Sequence, residues 1–144
     1  MRRIHLLLLL LVLASPTALA DQQQRTFLDA EAALKRGDRA GYERLAAGLG
    51  DYPLRSYLVY TDLNRRLAQR PVAEIRRFLE EEDGSVLAGR LRAAWLARLA
   101  NSGDWPAFLE FHRPDESVTT DCRRRQALLA TGNRDDALAG VEDL

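Results

Sequence analysis

A run of acidic residues is the first part of the sequence whose chemistry could matter. Positions 80–83 hold three glutamates and an aspartate in succession. Two neighbouring carboxyl groups of unequal pKa can serve as a catalytic acid and base. Consecutive residues at a helix end point in different directions, so these groups cannot converge on one bond. We therefore predict that the run is a solvated helix end.

Other residue types that perform catalysis or bind metals are sparse. His112 is the only histidine beyond residue 20, and no set of His, Cys, Asp and Glu has the spacing of a metal site. The sequence contains no G-x-S-x-G motif, no P-loop and no C-x-x-C motif. We expect no catalytic residue, no cofactor site and no metal site in this chain.

Three tyrosines lie close together in GDYPLRSYLVY, residues 50–60, at positions 52, 57 and 60. Their rings could stack on a sugar or a base, or they could pack in a core while their hydroxyl groups reach a polar rim. The surrounding pattern favours packing, because a predicted helix over 53–69 is apolar on two sides. One apolar side holds Tyr57, Tyr60, Leu63 and Leu67, and the other holds Leu54 and Leu58. The polar band between them holds Arg55, Asp62, Arg66 and Gln69.

The N-terminal twenty residues have the pattern of a secretory signal peptide. A basic start at Arg2 and Arg3 precedes an apolar run over 6–13, and Ala18-Leu19-Ala20 forms a small-x-small site before Asp21. We predict cleavage between Ala20 and Asp21, export, and a mature chain of residues 21–144. The apolar run falls short of the ~20 residues of a spanning helix, and no cysteine follows it to carry a lipid, so we expect no membrane anchor.

Charge and cysteine content limit the partners. Without Arg2 and Arg3 the 21 basic residues become 19 against 21 acidic ones, a net charge of −2, and we expect no nucleic-acid binding. The cluster 123–125, three arginines, is interpreted as a solvated helix face. Cys122 is the only cysteine, and a single cysteine in an exported chain indicates a partner elsewhere.

Composition and chain punctuation together indicate repeated helix hairpins. Ala, Leu, Arg and Glu dominate and strand patterns are missing, so we predict an all-α fold. Breakers recur at Gly37-Asp38, Arg70-Pro71, Gly103-Asp104 and Gly132-Asn133, spaced 33, 33 and 29 residues apart. Asp38, Asp104 and Asn133 are N-cap candidates, and Pro71 suits a first turn. Five residues beyond the first member of each pair lie Tyr42, Ile75, Phe108 and Ala137, all apolar.

This spacing predicts an α-solenoid built from four helix pairs, similar to tetratricopeptide repeats. The pairs are 23–36 with 39–49, 53–69 with 71–82, 86–101 with 105–112, and 120–131 with 134–144. The final turn, Gly132 to Leu138, resembles the Gly-Asn-x-x-x-Ala-Leu turn of those repeats.

A more specific resemblance rests on Asp51-Tyr52-Pro53-Leu54 followed by Tyr57-Leu58 and Tyr60. This segment resembles the D-Y-P-L-x-x-Y-L-x-Y signature in the N-terminal superhelical domain of soluble lytic murein transglycosylases. The likeness continues through Gly103-Asp104-Trp105 with Phe108 and Phe111, then Asp121-Cys122, then Thr131-Gly132 and Ala137. The resemblance implies a periplasmic location and a role in cleaving the glycan strands of peptidoglycan.

The catalytic part of that family has no counterpart here. The family's catalytic glutamate lies in a Glu-Ser motif within a separate lysozyme-like domain. Glu116-Ser117 has the two letters but lies in a proline-containing loop, so the role is not transferred. A glycosidic general acid needs a pocket that keeps its carboxyl protonated, and a solenoid loop provides none. The resemblance therefore implies a chain that is inactive alone.

Two hypotheses remain at this point. In the first, residues 21–144 are the incomplete beginning of a lytic transglycosylase that positions peptidoglycan glycan strands, and its parent continues with further hairpins, a cysteine that pairs with Cys122, and the lysozyme-like domain. In the second, the chain is a free-standing periplasmic adaptor that binds protein partners on a concave face. A polar capping helix and a genuine end at Leu144 would favour the adaptor.

Overall fold

The computed structural model describes residues 16–114 and 117–139, and every regular element within those ranges is helical. The helices are α1 (Pro16–Arg36), α2 (Arg39–Ala47), α3 (Arg55–Arg65), a short 3₁₀ helix (Leu67–Gln69), α4 (Val72–Glu81), α5 (Val86–Ser102), α6 (Trp105–Phe111), α7 (Val118–Ala130) and α8 (Arg134–Leu138). The all-α prediction is confirmed. No helix of the described part is both long and apolar enough to cross a bilayer.

Local capping explains why the predicted breakers mark helix boundaries. The Asp38 side chain accepts a hydrogen bond from the Gly41 N–H (2.9 Å), and the Asp104 side chain accepts one from the Ala107 N–H (3.3 Å). Both N-cap predictions are confirmed, because each carboxylate satisfies an amide that has no partner inside the helix. Asn133 occupies the N-cap position of α8, but its side chain makes no capping hydrogen bond.

The helix predicted over 53–69 is shorter than expected. Pro53 lies in a turn rather than in the first helical turn, and α3 begins two residues later. At the other end, Arg70 is extended (φ −84°, ψ 140°) because the ring of Pro71 disfavours helical backbone at the preceding residue. Pro71 itself precedes α4 as its N-cap residue. In the final helix, positions 140–144 of the predicted span lie outside the described residues.

The chain divides into two compact units, residues 1–55 and 56–144. In the described part of the first unit, α1 packs on α2. Its buried apolar side chains are Phe27, Ala30, Ala33, Leu34, Tyr42 and Leu49. The Phe27 and Tyr52 rings lie 5.7 Å apart in a tilted arrangement.

The second unit has a larger core formed by α3 to α7. Four helices contribute most of it, with Ile75, Phe78 and Leu79 from α4, Leu91, Trp95, Leu96 and Leu99 from α5, Phe108 and Phe111 from α6, and Ala127 from α7. The Trp95 and Phe111 rings are nearly perpendicular, with their centroids 6.0 Å apart. Successive helices provide most of the packing, with α4 on α5, α5 on α6, α6 on α7 and α7 on α8.

The repeat inferred from the sequence is reflected in burial. Tyr42, Ile75, Phe108 and Ala137 are the four positions that lie five residues beyond a breaker, and all four are buried. The equivalent position in each hairpin therefore has the same packing role, as expected of a solenoid in which every layer buries one apolar stripe.

Candidate functional site

An open pocket of about 200 Å³ lies in the second unit, where the end of α4, the middle of α5 and the end of α6 meet. Charged groups of both signs surround a small apolar floor. The lining residues are Arg76, Leu79 and Glu80 of α4, Arg92 of α5, Glu110 and Phe111 of α6, and His112 and Arg113 beyond it. Leu79 and Phe111 are core residues, so the packing of three helices fixes the pocket's position.

Arg76 joins α4 to α6 on one side of the pocket. Its guanidinium forms an ion pair with Glu110 and lies over the Phe111 ring, 5.2 Å from the centroid. An arginine stacked on an aromatic face keeps its edge available for hydrogen bonding. The side chains of Arg76 and Glu110 are both nearly half exposed, so a ligand could reach them.

Asp83 pairs with two arginines on the other side of the pocket. Arg113 Nη1 donates to Asp83 Oδ1 at 2.5 Å, and Arg92 Nη2 lies 3.9 Å from the same oxygen. The hydrogen bond from Arg113 and its positive charge hold the pKa of Asp83 below its ordinary value. Asp83 therefore stays ionised and keeps these two guanidinium groups beside the pocket.

His112 is more enclosed than its neighbours. Its side chain is only 7% exposed, and Nε2 lies 3.5 Å from Asp121 Oδ1 on α7. Within the described residues, that buried nitrogen has no hydrogen-bond partner. The imidazole ring lies 6.0 Å from the ring of Phe108, a central core residue. His112 thus packs the end of α6 against α7.

The acidic run at 80–83 behaves only partly as predicted. Glu80 and Glu81 are exposed, as expected of a solvated helix end. Glu82, in contrast, is half-buried and accepts a hydrogen bond from the Ser56 hydroxyl group. Asp83 binds Arg113, as described above. The prediction of a uniformly solvated run is wrong because helices distant in sequence approach its second half.

A buried ionic cluster is the feature that the sequence pattern missed. Asp62 belongs to the predicted polar band of its helix, but its side chain is buried. It pairs with Arg66 and with Arg70, and Arg70 in turn pairs with Glu74 at 3.1 Å. The i,i+4 spacing of Asp62 and Arg66 is a sequence signal for part of the cluster. Nothing local indicates Arg70, which lies beyond the helix end.

The three tyrosines of residues 50–60 differ in burial. Tyr60 is half-buried and packs against the core, and Tyr52 is half-buried beside Phe27. Tyr57 is 41% exposed and Leu54 is 50% exposed, so the prediction that both pack in the core is wrong. The buried side of α3 runs through Leu58, and a helix that packs on this side turns Tyr57 outwards.

The remaining candidate residues do not converge on a site. Ala20 and Asp21, the predicted cleavage position, are exposed within α1. Cys122 is an exposed free thiol on α7. The cluster 123–125 is half-buried rather than solvated, and Arg125 Nη1 donates to the Ala137 carbonyl at 3.2 Å, so that interpretation is wrong. Glu116 lies outside the described residues. No group of three or more metal-binding side chains occurs within the described part.

Ser117 has a structural role that its neighbour Glu116 does not share. It is the N-cap of α7, and its hydroxyl oxygen accepts a hydrogen bond from the Thr120 N–H at 3.2 Å. A serine immediately before a helix satisfies an amide that would otherwise lack a partner. The serine of the Glu-Ser pair therefore starts a helix.

The sequence of this chain is similar to part of two longer known proteins. The chain aligns with a soluble lytic murein transglycosylase of Escherichia coli K12 at 27% identity over 126 residues, which is 86% of this chain and 19% of that protein. It also aligns with a protein of the same name from Salmonella typhimurium at 31% identity over 104 residues, 71% of this chain and 16% of that protein. The chain is a relative of the soluble lytic murein transglycosylases. No family model matches it.

A solved structure supports the same relationship at the level of the fold. The 70-kDa soluble lytic transglycosylase, in complex with bulgecin A, superposes with a TM-score of 0.75 at 24% identity, over 85% of this chain and 20% of that one. The predicted all-α solenoid of helix hairpins is thereby confirmed. The chain spans about a fifth of the length of the transglycosylases it matches.

Proposed function

We propose that this chain is a superhelical segment of a periplasmic lytic murein transglycosylase, which positions or holds peptidoglycan while a separate domain cleaves it. The observation that carries the proposal is the alignment of 86% of the chain with such an enzyme. The N-terminal signal pattern of residues 1–20 supports export to the compartment that contains murein.

The carboxylates of the described residues support a role without catalysis. A glycosidic general acid must be enclosed and must face the bond it protonates. Asp62 is enclosed but already engaged by two guanidinium groups. Glu80 and Glu110 border the pocket but are exposed. We therefore assign the arrangement to binding rather than to chemistry.

The first prediction concerns activity. The purified chain should sediment with peptidoglycan sacculi and should release no anhydro-muropeptides from them, because no acid among residues 16–114 and 117–139 is both enclosed and free to face a substrate. Sedimentation and chromatography of the supernatant measure the two properties, and sacculi treated with an active lytic transglycosylase provide the positive control for release.

Two results would contradict this proposal. Sustained release that disappears in a Glu116→Gln variant would assign a catalytic role to the Glu116-Ser117 pair. Failure of the folded chain to sediment with sacculi would instead favour the protein-binding adaptor, which needs no affinity for murein.

A further inference from the structure

We propose that the pocket between α4, α5 and α6 binds short zwitterionic peptides, the chemical class of the peptide stems of murein. The choice of murein as the source rests on the proposed function. The peptide chemistry itself rests on the charges and the size of the pocket, which are independent of that assignment.

The pocket offers partners for both the carboxylate and the ammonium groups of such a peptide. Guanidinium groups of Arg76, Arg92 and Arg113 reach it from three different segments, and a guanidinium fork binds a carboxylate through two parallel hydrogen bonds. Glu80 and Glu110 line the same pocket and can accept hydrogen bonds from an ammonium group. The pocket is therefore lined by three arginines and two glutamates, and Asp83 pairs with Arg113 beside it, so a ligand carrying both signs finds a partner for each charge.

The existing ion pairs can be exchanged for ligand contacts. Arg76 pairs with Glu110, and Arg113 pairs with Asp83, but each of these four side chains is roughly half exposed. Exposed ion pairs contribute little net stability because water screens them. A carboxylate or an ammonium group that enters the pocket can therefore take one partner of a pair at small cost.

Size and surface favour a peptide over the glycan. A volume of about 200 Å³ is below the ~300–1,000 Å³ of pockets that enclose a drug-sized ligand, so it fits the end of a peptide stem. Sugar rings usually stack on an exposed aromatic face. The aromatic rings that line this pocket are Phe111 and His112, and neither offers an exposed face. Phe111 is buried beneath Arg76, and His112 is enclosed. Phe111 and Leu79 leave only a small apolar contact, which suits a methyl or aliphatic group.

Two adjacent pairs of residues provide matched variants. Arg76 lines the pocket and Arg77 is an exposed arginine that does not; Glu80 lines the pocket and Glu81 is exposed outside it. The probe is the tetrapeptide alanyl-γ-glutamyl-diaminopimelyl-alanine, titrated calorimetrically into the intact chain. We expect Arg76→Gln and Glu80→Gln each to weaken binding about tenfold or more, since each loses a charge-assisted contact. Arg77→Gln and Glu81→Gln should stay within about twofold of the wild type.

The glycan is tested in parallel with chitotetraose, which carries the sugar backbone without peptide. We expect it neither to bind the pocket nor to compete with the tetrapeptide. The proposal is overturned if the tetrapeptide does not bind, if the pocket variants match their controls, or if chitotetraose competes. Thermal melts of all four variants identify any loss of binding that arises from unfolding, and Glu80→Gln breaks no ion pair of the described structure.

The two proposals fail in distinguishable ways. Sacculi that sediment with the chain while the tetrapeptide does not bind would remove the pocket assignment and leave the proposed function intact. Tetrapeptide binding without sedimentation of sacculi would support the pocket's peptide chemistry and refute the role in murein processing.

Discussion

Asp62 is a buried carboxylate on α3, and both of its arginine partners, Arg66 and Arg70, lie beyond the end of that helix. The side chains of Asp62 and Arg70 are 9% and 8% exposed, so both charges are largely removed from water. Desolvation of two charges costs several kcal/mol, and their mutual attraction offsets this only while both partners remain in place. The pair therefore ties the end of α3 to the segment before α4, whether or not it adds net stability.

Removal of one partner tests this arrangement. Asp62→Asn should lower the free energy of unfolding by about 3–5 kcal/mol, because Arg66 and Arg70 lose their buried counter-charge. Chemical denaturation with a helical circular dichroism signal measures the change. Asp29→Asn, at an exposed site on α1, serves as the control and should stay within about 0.5 kcal/mol of the wild type. An effect of Asp62→Asn as small as the control's would show that the arginines are hydrated.

A second residue-scale prediction separates neighbours on α3. Leu58 is fully buried, so Leu58→Ala should cost about 2–5 kcal/mol through the cavity it leaves. Tyr57→Ala should cost at most about half as much, since the ring is 41% exposed. Denaturant melts of both variants provide the comparison. Equal losses would restore the interpretation of Tyr57 as a core residue.

The phase of α3 shows why such residues resist prediction from sequence. Apolar residues occur on two sides of this helix, and the periodicity does not indicate which side faces the core. Leu58 and Leu63 were correctly identified as apolar core candidates, and both are buried. Whether α3 buries Tyr57 or Asp62 depends on the ion pair between Asp62 and Arg70. Arg70 lies eight residues beyond Asp62 and past the end of the helix, so this contact leaves no periodic signal in the sequence.

At the scale of elements, helix boundaries follow from a few residues and could be predicted well. The helix expected over 86–101 is observed as Val86–Ser102, because Gly103 ends it with a left-handed backbone conformation (φ 72°). The Glu80–Asp83 run and the 53–69 helix were predicted less well, since a turn and contacts from other helices determine them. The pocket of mixed charge could not be predicted at all, because its residues come from three helices.

Gly103 and Gly89 form a matched pair for the third stability prediction. Gly103→Ala should destabilise by about 1–2 kcal/mol, because a residue with a β-carbon disfavours the left-handed conformation. Gly89→Ala should instead stabilise by up to about 1 kcal/mol, since Gly89 lies in the interior of α5 with open space around a new β-carbon. Thermal melts distinguish them, and a shift of the same sign in both variants would contradict the conformational explanation.

At the scale of the whole molecule, Cys122 bears on the proposal that this chain is part of a longer protein, its parent. An exposed thiol without a partner in the described residues is unusual in an oxidising compartment. We propose that a longer parent carries a second cysteine that pairs with it, together with further hairpins and the lysozyme-like domain. The described structure is compatible with this proposal because the thiol lies on the surface of α7 and is accessible to another segment.

The accessibility of that thiol can be measured directly. In the folded chain, Cys122 should react with one equivalent of a chromogenic disulfide reagent without denaturant, at a rate close to that of a free cysteine peptide. The same reaction on a parent protein purified under oxidising conditions should show no free thiol. Slow reaction of the isolated chain would place Cys122 under cover, and a free thiol in the parent would contradict the proposed disulfide.

Most helices of this chain pack mainly on a neighbour in sequence, and such local packing favours fast folding. Pairs such as α1 with α2 or α5 with α6 close only short loops, and local helical topologies of this kind fold within about microseconds to milliseconds. A hairpin can therefore form as soon as both of its helices are in water, and the solenoid can assemble one hairpin at a time.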